Sequence, residues 1–366
     1  MNRRTFNRSL LGLPLAAALP EIGFAESPFA PDTVTNSFGG SITDVPGLKV
    51  GHHTLTERPT GCTVLLCENG ATAGVDVRGS APGTRETDLL NPINSVQTVN
   101  AIVLSGGSAY GLDTATGVMR YLEEHKMGYP IGPLGVVPIV PAAILMDLGV
   151  GDFSIRPNAE AGYQACVAAS NSPVPEGNVG AGAGATVGKL FGPKFSMKSG
   201  LGTASVKIGD TGIVVGAIVA VNAVGDVYHP ETRQILAGAR SEDGKGFRNA
   251  MQQILNGYAV VRSPGANTTI GAIATNAPFT KTQMTKIAQM AHDGYARTIN
   301  PVHTMYDGDT IFALSTGTAK VQADESAIGA IAAIVMARAI ARAAMNAASL
   351  PAPLNLPAWR DYVKQS

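Results

Sequence analysis

Apolar runs bounded by turn residues mark the strands of this chain, and helically spaced apolar residues mark its helices. Residues 60–68 (TGCTVLLCE) and 71–78 are strand-like and are separated by Asn69-Gly70, which predicts a hairpin. Residues 100–105 form another apolar strand, leading through Gly106-Gly107 into a helix over 108–126. A loop dense in proline and glycine covers 128–141, a helix follows at 158–170, and 177–188 is rich in glycine and alanine. Residues 202–208 and 213–223 read as a second strand pair around Gly209-Asp210-Thr211-Gly212. After a helix near 246–255 come a strand at 268–275, a helix at 281–298, and a strand at 311–314. The chain then makes a long alanine-rich helix over 324–348, whose apolar face carries Ile328, Ile331, Val335 and Ile340.

Strands come in antiparallel-looking pairs, with helices between and after them, which predicts two sheets covered by helices and no regular βαβ alternation. No internal repeat or linker divides the chain. At ~150 residues per domain, 366 residues allow two domains, but the pattern reads as one large domain over 26–366.

Composition narrows the function. The chain is 45% hydrophobic and 15% charged, so it can bury a large core and is not disordered. Its 27 basic and 27 acidic residues leave no electrostatic footprint for nucleic acid. So low a charge content suggests that surface is hidden in an oligomer. Residues 1–25 read as an export signal: Arg3 and Arg4 precede an apolar stretch at 10–19, which ends at Gly23-Phe24-Ala25. The paired arginines are of the twin-arginine type, which implies periplasmic export of a folded protein. No other segment is expected to span a membrane, because the longest late apolar run, 327–337, is too short. Cys62, Cys67 and Cys166 fit no zinc framework; Cys62 and Cys67 fall on opposite faces of a strand, which argues against a bridge.

Several motifs fail on inspection. The run Gly180–Ala185 contains G-x-G-x-x-A, but a loop precedes it where a nucleotide site needs a strand. Residues 183–190 (AGATVGKL) lack the first glycine and the final hydroxyl of a phosphate loop. Around Ser108 the second glycine of a nucleophile elbow comes one residue late, so Ser108 reads as a helix N-cap. None of the six histidines has helical metal-binding spacing, and His52, His53, His292 and His303 read as structural or solvated. No metal is expected.

The distinctive stretch is 265–277 (GANTTIGAIATNA). Gly265-Ala266-Asn267 turns directly into Thr268, which opens a strand apolar enough to be buried on both faces. Such a hydroxyl could attack the peptide bond before it, giving an ester that water hydrolyses. The freed α-amine, with an ordinary pKa of ~7.7–8, could then serve the same hydroxyl as general base. On periodicity alone the same residues are also an ordinary threonine-rich strand start, and Thr269 is chemically similar to Thr268.

This stretch, with 104–112 (LSGGSAYGL), 187–192 (VGKLFG), 200–205 (GLGTAS), 219–226 (VAVNAVGD), 290–294 (MAHDG) and 301–314 (PVHTMYDGDTIFAL), resembles the aminopeptidase/D-esterase family of autoprocessed hydrolases. The resemblance covers nearly the whole chain after residue 25. Its Asn267-Thr268 junction is most similar to the branch that cleaves 6-aminohexanoate (nylon) oligomers internally. The resemblance implies an αββα sandwich of the N-terminal-nucleophile type, with two mixed or antiparallel sheets flanked by helices. It also implies cleavage between Asn267 and Thr268, into an α chain of 26–267 and a β chain of 268–366.

On that resemblance Thr268 is the nucleophile and its amine the base, with no cofactor needed. Lys189, in an otherwise uncharged loop, would lower the amine's pKa. Asn222, a polar residue on an apolar strand, would donate to the oxyanion or else be a buried structural amide. Asp307 and Asp309 flank Gly308 and could present paired carboxylates to one side, to orient the amine and hydroxyl or to bind a substrate's ammonium end, although D-G-D is also turn-rich. Gly107 and Tyr110 are candidate pocket residues. Where the oligomer-cleaving branch has a tyrosine, within 142–148, this chain offers Met146 instead, which bears on substrate preference. The expected activity is hydrolysis of small amides, either inside linear ω-amino-acid oligomers or at the free amino end of short peptides and esters. The expected assembly is a homo-oligomer of αβ heterodimers; a non-catalytic binding protein on the same scaffold is the rival outside enzymes.

Overall fold

The computed structural model describes residues 39–258 and 267–362. Nine strands share one hydrogen-bonded ladder. They are β1 (Lys49–Thr54), β2 (Gly61–Val77), β3 (Thr84–Arg85), β4 (Thr98–Ser105), β5 (Ala142–Ile144), β6 (Leu201–Lys207), β7 (Val214–Asn222), β8 (Thr268–Thr275) and β9 (Thr310–Ser315). Their order is β6-β7-β8-β9-β2-β4-β5-β3, with β1 also paired to β2. The four longest described helices are α1 (Thr114–Glu124), α2 (Ala159–Val167), α3 (Lys281–Thr298) and α4 (Glu325–Met345).

Alternation along the strands sorts these elements into four layers. On β2, Cys62, Val64 and Leu66 pack with α1 and α2 through Val118, Leu122 and Ala165. The intervening Leu65 and Cys67 join Ile102 and Leu104 of β4 in a central cluster with Ile218, Ile270, Ala272, Phe312 and Leu314. The opposite faces of β7, β8 and β9, carrying Val219, Ile273 and Ile311, pack on α3 and α4 through Ile287, Ala291, Ile328, Val335 and Ile340. Helices, half-sheet, half-sheet, helices is the αββα arrangement expected from the sequence. The two half-sheets are joined by hydrogen bonds, and the strand that joins them is the long β2.

That continuity corrects the hairpin expected at Asn69-Gly70. β2 runs straight through the dipeptide, with Gly70 at φ +78° and a register shift between Leu66 and Ala71. The left-handed glycine is absorbed as a bulge because both flanks find partners. Residues before it pair with β1 and β4, and Thr72–Val77 pair with β9. Ser108 is corrected as well. It makes no capping bond, has φ +54°, and follows Gly107, which is itself the N-cap of a 3₁₀ turn, Ser108–Asp113.

β8 and α3 coincide with the spans read from sequence, and α4 starts behind Asp324, whose side chain accepts the N–H groups of Ser326 and Ala327. By length and composition α4 could cross a membrane, but about two-thirds of its apolar window is buried against α3, β6 and β7. Cys62, Cys67 and Cys166 are buried and unpaired, and burial pushes the Cys62 and Cys67 thiols up to about 12. The export signal at 1–25 and the Gly265-Ala266 turn lie outside the described residues.

Candidate active site

Strand pairing brings the candidate residues together. β7 and β8 are antiparallel, with Asn222 directly opposite Thr268. β8 and β9 are parallel, so their starts lie side by side, and a bridge between Asn267 and Asp307 extends the pairing one step beyond the strands. The D-G-D segment therefore lies against the Asn-Thr-Thr segment although forty residues separate them.

Thr268, 2% exposed, hydrogen-bonds through its Oγ1 to the carbonyl oxygen of Asn267, the residue before it. The same carbonyl oxygen accepts the Gly308 N–H at 3.1 Å. A hydroxyl thus sits beside a carbonyl polarised by a backbone donor, the arrangement needed for attack with charge developing on oxygen. Gly308 leaves no room for a side chain: a Cβ there would lie 2.8 Å from the Ala81 carbonyl oxygen and 3.0 Å from Thr268 Oγ1.

The two carboxylates are buried and differently held. Asp309 accepts the Thr269 N–H on Oδ1 at 2.7 Å, and its Oδ2 lies 2.9 Å from His303 Nδ1. Asp307 accepts the Thr304 N–H at 2.7 Å. Burial, reinforced by the neighbouring Asp309, pushes Asp307 up to about 6.

Lys189 reaches the site from a segment stitched to the end of β7. Its N–H donates to Val224 O at 2.9 Å, and its Nζ donates to Asn222 Oδ1 at 2.8 Å and Asn222 O at 3.0 Å. Burial lowers Lys189 to about 7 against the opposing pull of Asp307, Asp147 and Asp309. Asn222 Oδ1 also accepts the Thr186 N–H at 3.0 Å, and its Nδ2 donates to Met146 O at 2.9 Å. These bonds fix the amide's orientation, and a primary amide has a second N–H to offer a reacting oxygen.

A cavity of about 500 Å³ opens beside Asn267, Thr186 and Lys189. Met146, Val150, Val224, Leu354 and Leu356 give it an apolar wall, and Lys194 and Ser196 add polar groups. Met146, the residue that the sequence offers in place of a tyrosine, is thus part of the cavity wall. Tyr110 does not line this cavity; it is 55% exposed under Arg156, whose Cζ is 3.8 Å from the ring centroid. Gly107 is also off the wall, with its N–H committed to Asp147 Oδ1 at 2.9 Å.

Asp147 explains the glycine-rich runs that matched no nucleotide or nucleophile motif. Its carboxylate is fully buried, paired with the Arg58 guanidinium and bonded by Thr60 Oγ1 at 2.6 Å. A Cβ at Gly106 or Gly184 would lie 2.3 or 2.5 Å from Asp147 Oδ2. Both runs are bare because they close over this ion pair. Arg58 also donates to the carbonyls of Val150 and Ile155, which pins the loop forming the cavity floor. Arg58→Met is expected to lower unfolding free energy by about 3–5 kcal/mol, since it strands a buried charge. Urea denaturation measures this, and a loss under about 1 kcal/mol would mean that Thr60 and Gly107 satisfy Asp147 alone.

Three contributors escaped the sequence reading. Gly308 offers a backbone group, which no motif records. Thr186 sits in a run read only as rich in glycine and alanine. His303, read as structural or solvated, is bonded to Asp309; only its closeness in sequence to the D-G-D pair hinted at this.

Comparison with known proteins agrees with the geometry. The family model described as peptidase family S58 matches residues 40–354. An uncharacterized aminopeptidase of Mycobacterium leprae is 46% identical over 300 residues, covering 77% of this chain and 80% of its own. A 6-aminohexanoate-oligomer endohydrolase of a Kocuria species is 31% identical over 315 residues, covering 82% and 85%. Among solved structures, the L-aminopeptidase D-Ala-esterase/amidase of Ochrobactrum anthropi, described as a variant of the Ntn hydrolase fold, superposes with a TM-score of 0.65. It is 19% identical, and the match covers 89% of this chain and 93% of that one.

Proposed function

Since the chain belongs to peptidase family S58 and is a hydrolase acting on amide bonds, we propose that Thr268 is its nucleophile and that it first cuts its own chain before Thr268. In processing, Thr268 Oγ bonds to the Asn267 carbonyl carbon, the C–N bond breaks, and the nitrogen takes up the proton that Oγ gives up, which makes it an amine. Water then hydrolyses the ester, leaving an Asn267 carboxylate and a free Thr268 amine and hydroxyl. In turnover the amine takes the Oγ proton as Oγ attacks the substrate carbonyl, and passes it to the departing amine. Water releases the acyl group. Asn222 serves the oxyanion, and Lys189 and the Asp307/Asp309 pair set the charge around the amine. The observation that carries this reading is the Thr268 hydroxyl lying against the Asn267 carbonyl, which the Gly308 N–H polarises.

For substrate, the reading is an internal amide of a linear ω-amino-acid oligomer or small peptide. Among the described residues lining the cavity the one carboxylate is Asp147, which Arg58 neutralises. An aminopeptidase needs an anion for the substrate's ammonium group, and this wall supplies lysines. The alternative is N-terminal cleavage of short peptides, amides and esters. Assembly into a homo-oligomer is part of the proposal and is supported by exposed Ile93, Leu134 and Met305. So is periplasmic export, which rests on residues 1–25 and is checked by fractionation of the expressing cell.

Two measurements test the function. Denaturing intact mass should give two chains, the smaller beginning at Thr268. The purified protein should cut a 6-aminohexanoate oligomer whose amino end is acetylated; cleavage of only the free-amine form would establish the aminopeptidase alternative. An uncut chain would overturn the nucleophile assignment.

A further inference from the structure

Behind the catalytic carboxylates lies an aromatic stack that the mechanism above does not use. His303 has φ +55°, a left-handed conformation that turns its ring back over the D-G-D segment. Both its backbone N–H, at 3.2 Å, and its Nδ1, at 2.9 Å, meet the same oxygen of Asp309. The other Asp309 oxygen holds the Thr269 N–H, one residue into the proposed β chain. Tyr295 lies under the His303 ring at 5.9 Å between centroids and 23° between planes, and His292 abuts its edge at 4.8 Å. His292 is tied through Nε2 to the Asp76 carbonyl oxygen at 3.1 Å. Neither ring can swing without disturbing α3.

We infer that His303 is a positioning residue: it clamps Asp309 against the first residues of the β chain and so sets the pH range in which the Thr268 amine works. This rests on the reading of Thr268 as nucleophile. The tautomer follows from the partner, since a carboxylate oxygen requires a proton on Nδ1. One oxygen of Asp309 thereby receives two N–H donors from His303 and the other is left to the β-chain start. The charged groups facing this arrangement are Asp307 and Lys189 from the Thr268 side and, beyond His292, Asp76 at the end of β2 and Arg78 just after it. Tyr295 and His292 face it from α3. Burial keeps His292 neutral, at about 3, and raises Tyr295, so neither adds charge near neutral pH. The His303 donors offset part of the Asp309 charge that raises Asp307, so their loss must move the Asp307 titration upward.

The left-handed backbone supplies a clean series, because Asn, Asp and Gly all enter that region at low cost. His303→Asn keeps a donor at the δ position. His303→Asp has the same shape but no donor, and His303→Gly has no side chain. Processed protein of each is assayed for kcat/KM across pH 4–9 on an amide substrate. For wild type the acid limb is expected near 6, the value to which burial beside Asp309 raises Asp307. His303→Asn should keep that limb within ~0.3 units and kcat within ~3-fold of wild type. His303→Asp and His303→Gly should move it up by about one unit and lower kcat by ~30-fold or more. The inference is overturned if all three variants keep the wild-type limb, or if Asn is as impaired as Gly. Mass of the wild-type chains, taken from the same preparation, separates the two readings. An uncut wild type removes the nucleophile assignment itself, whereas a cut wild type with an unmoved limb in the variants removes only the role of His303.

Discussion

Thr268→Ala should leave a chain uncut at the 267/268 bond and lower amide turnover by ~10⁴-fold or more. The side chain has two successive tasks in the proposed mechanism, and alanine removes the only atom that can do either. Thr268→Ser keeps that atom and should still cut itself and turn over, within ~100-fold, because a serine hydroxyl attacks by the same chemistry. The neighbouring residue is the control. Thr269 acts through its backbone N–H on Asp309, while its Oγ1 has no hydrogen-bond partner among the described residues. Thr269→Ala should therefore cut normally, which separates two residues that the sequence left equivalent. Mass spectrometry of the three purified variants decides the matter. Cleavage before Thr268 in the alanine variant would require another nucleophile, and none of the described hydroxyls is bonded to the Asn267 carbonyl except Thr268.

The elements that the sequence predicted to the residue are those whose signals are local. α3 begins behind Thr280, which forms a capping box with Gln283, and its buried residues recur at helical spacing from Met284 to Tyr295. β8 is a run of eight buried residues with a turn-former in front of it. Asn69-Gly70 carries an equally local turn signal, yet β2 continues through it. What decides there is the pairing of Thr72–Val77 with β9, more than two hundred residues later. No dipeptide encodes that partner.

The candidate site was legible for a different reason. Asn222 is a polar residue on an apolar strand, and burial of a polar group demands a partner or a task; Thr268 and the two aspartates stand out through the resemblance of the motifs that hold them. Those signals point to side chains. They miss backbone donors such as Gly308, and they misread residues whose partner is another predicted residue. His303 has no helical or strand periodicity to betray it, because its left-handed φ belongs to neither. Gly106 and Gly184 are the converse case: they sit in runs that approach nucleophile-elbow and nucleotide motifs, but the group each accommodates is the Asp147 carboxylate of the protein itself.

Gly308→Ala is expected to slow self-cleavage by ~10²-fold or more, about 2.7 kcal/mol, with a smaller cost to stability of about 1 kcal/mol. The added methyl group would stand 2.8 Å from the Ala81 carbonyl oxygen, 3.2 Å from Pro82 Cα and 3.0 Å from Thr268 Oγ1. Ala81 is fastened on the far side, its N–H donating to Asp307 O at 2.8 Å, so that wall cannot retreat without moving Asp307. The softest neighbour is the Thr268 side chain, which can rotate away from the Asn267 carbonyl. Even if it holds, the D-G-D backbone must shift, and the Gly308 N–H leaves the carbonyl that it polarises at 3.1 Å. Either response separates groups that must meet within a few tenths of an ångström, and reactivity falls much faster than stability when that happens. The time course of chain cleavage after rapid refolding, read by mass, gives the rate; urea denaturation of the uncut fraction gives the stability. Cleavage at the wild-type rate would show that neither the Gly308 N–H nor the fixed position of Thr268 Oγ1 limits processing. A parallel loss in both measurements would make the glycine a packing residue, with no part in the chemistry.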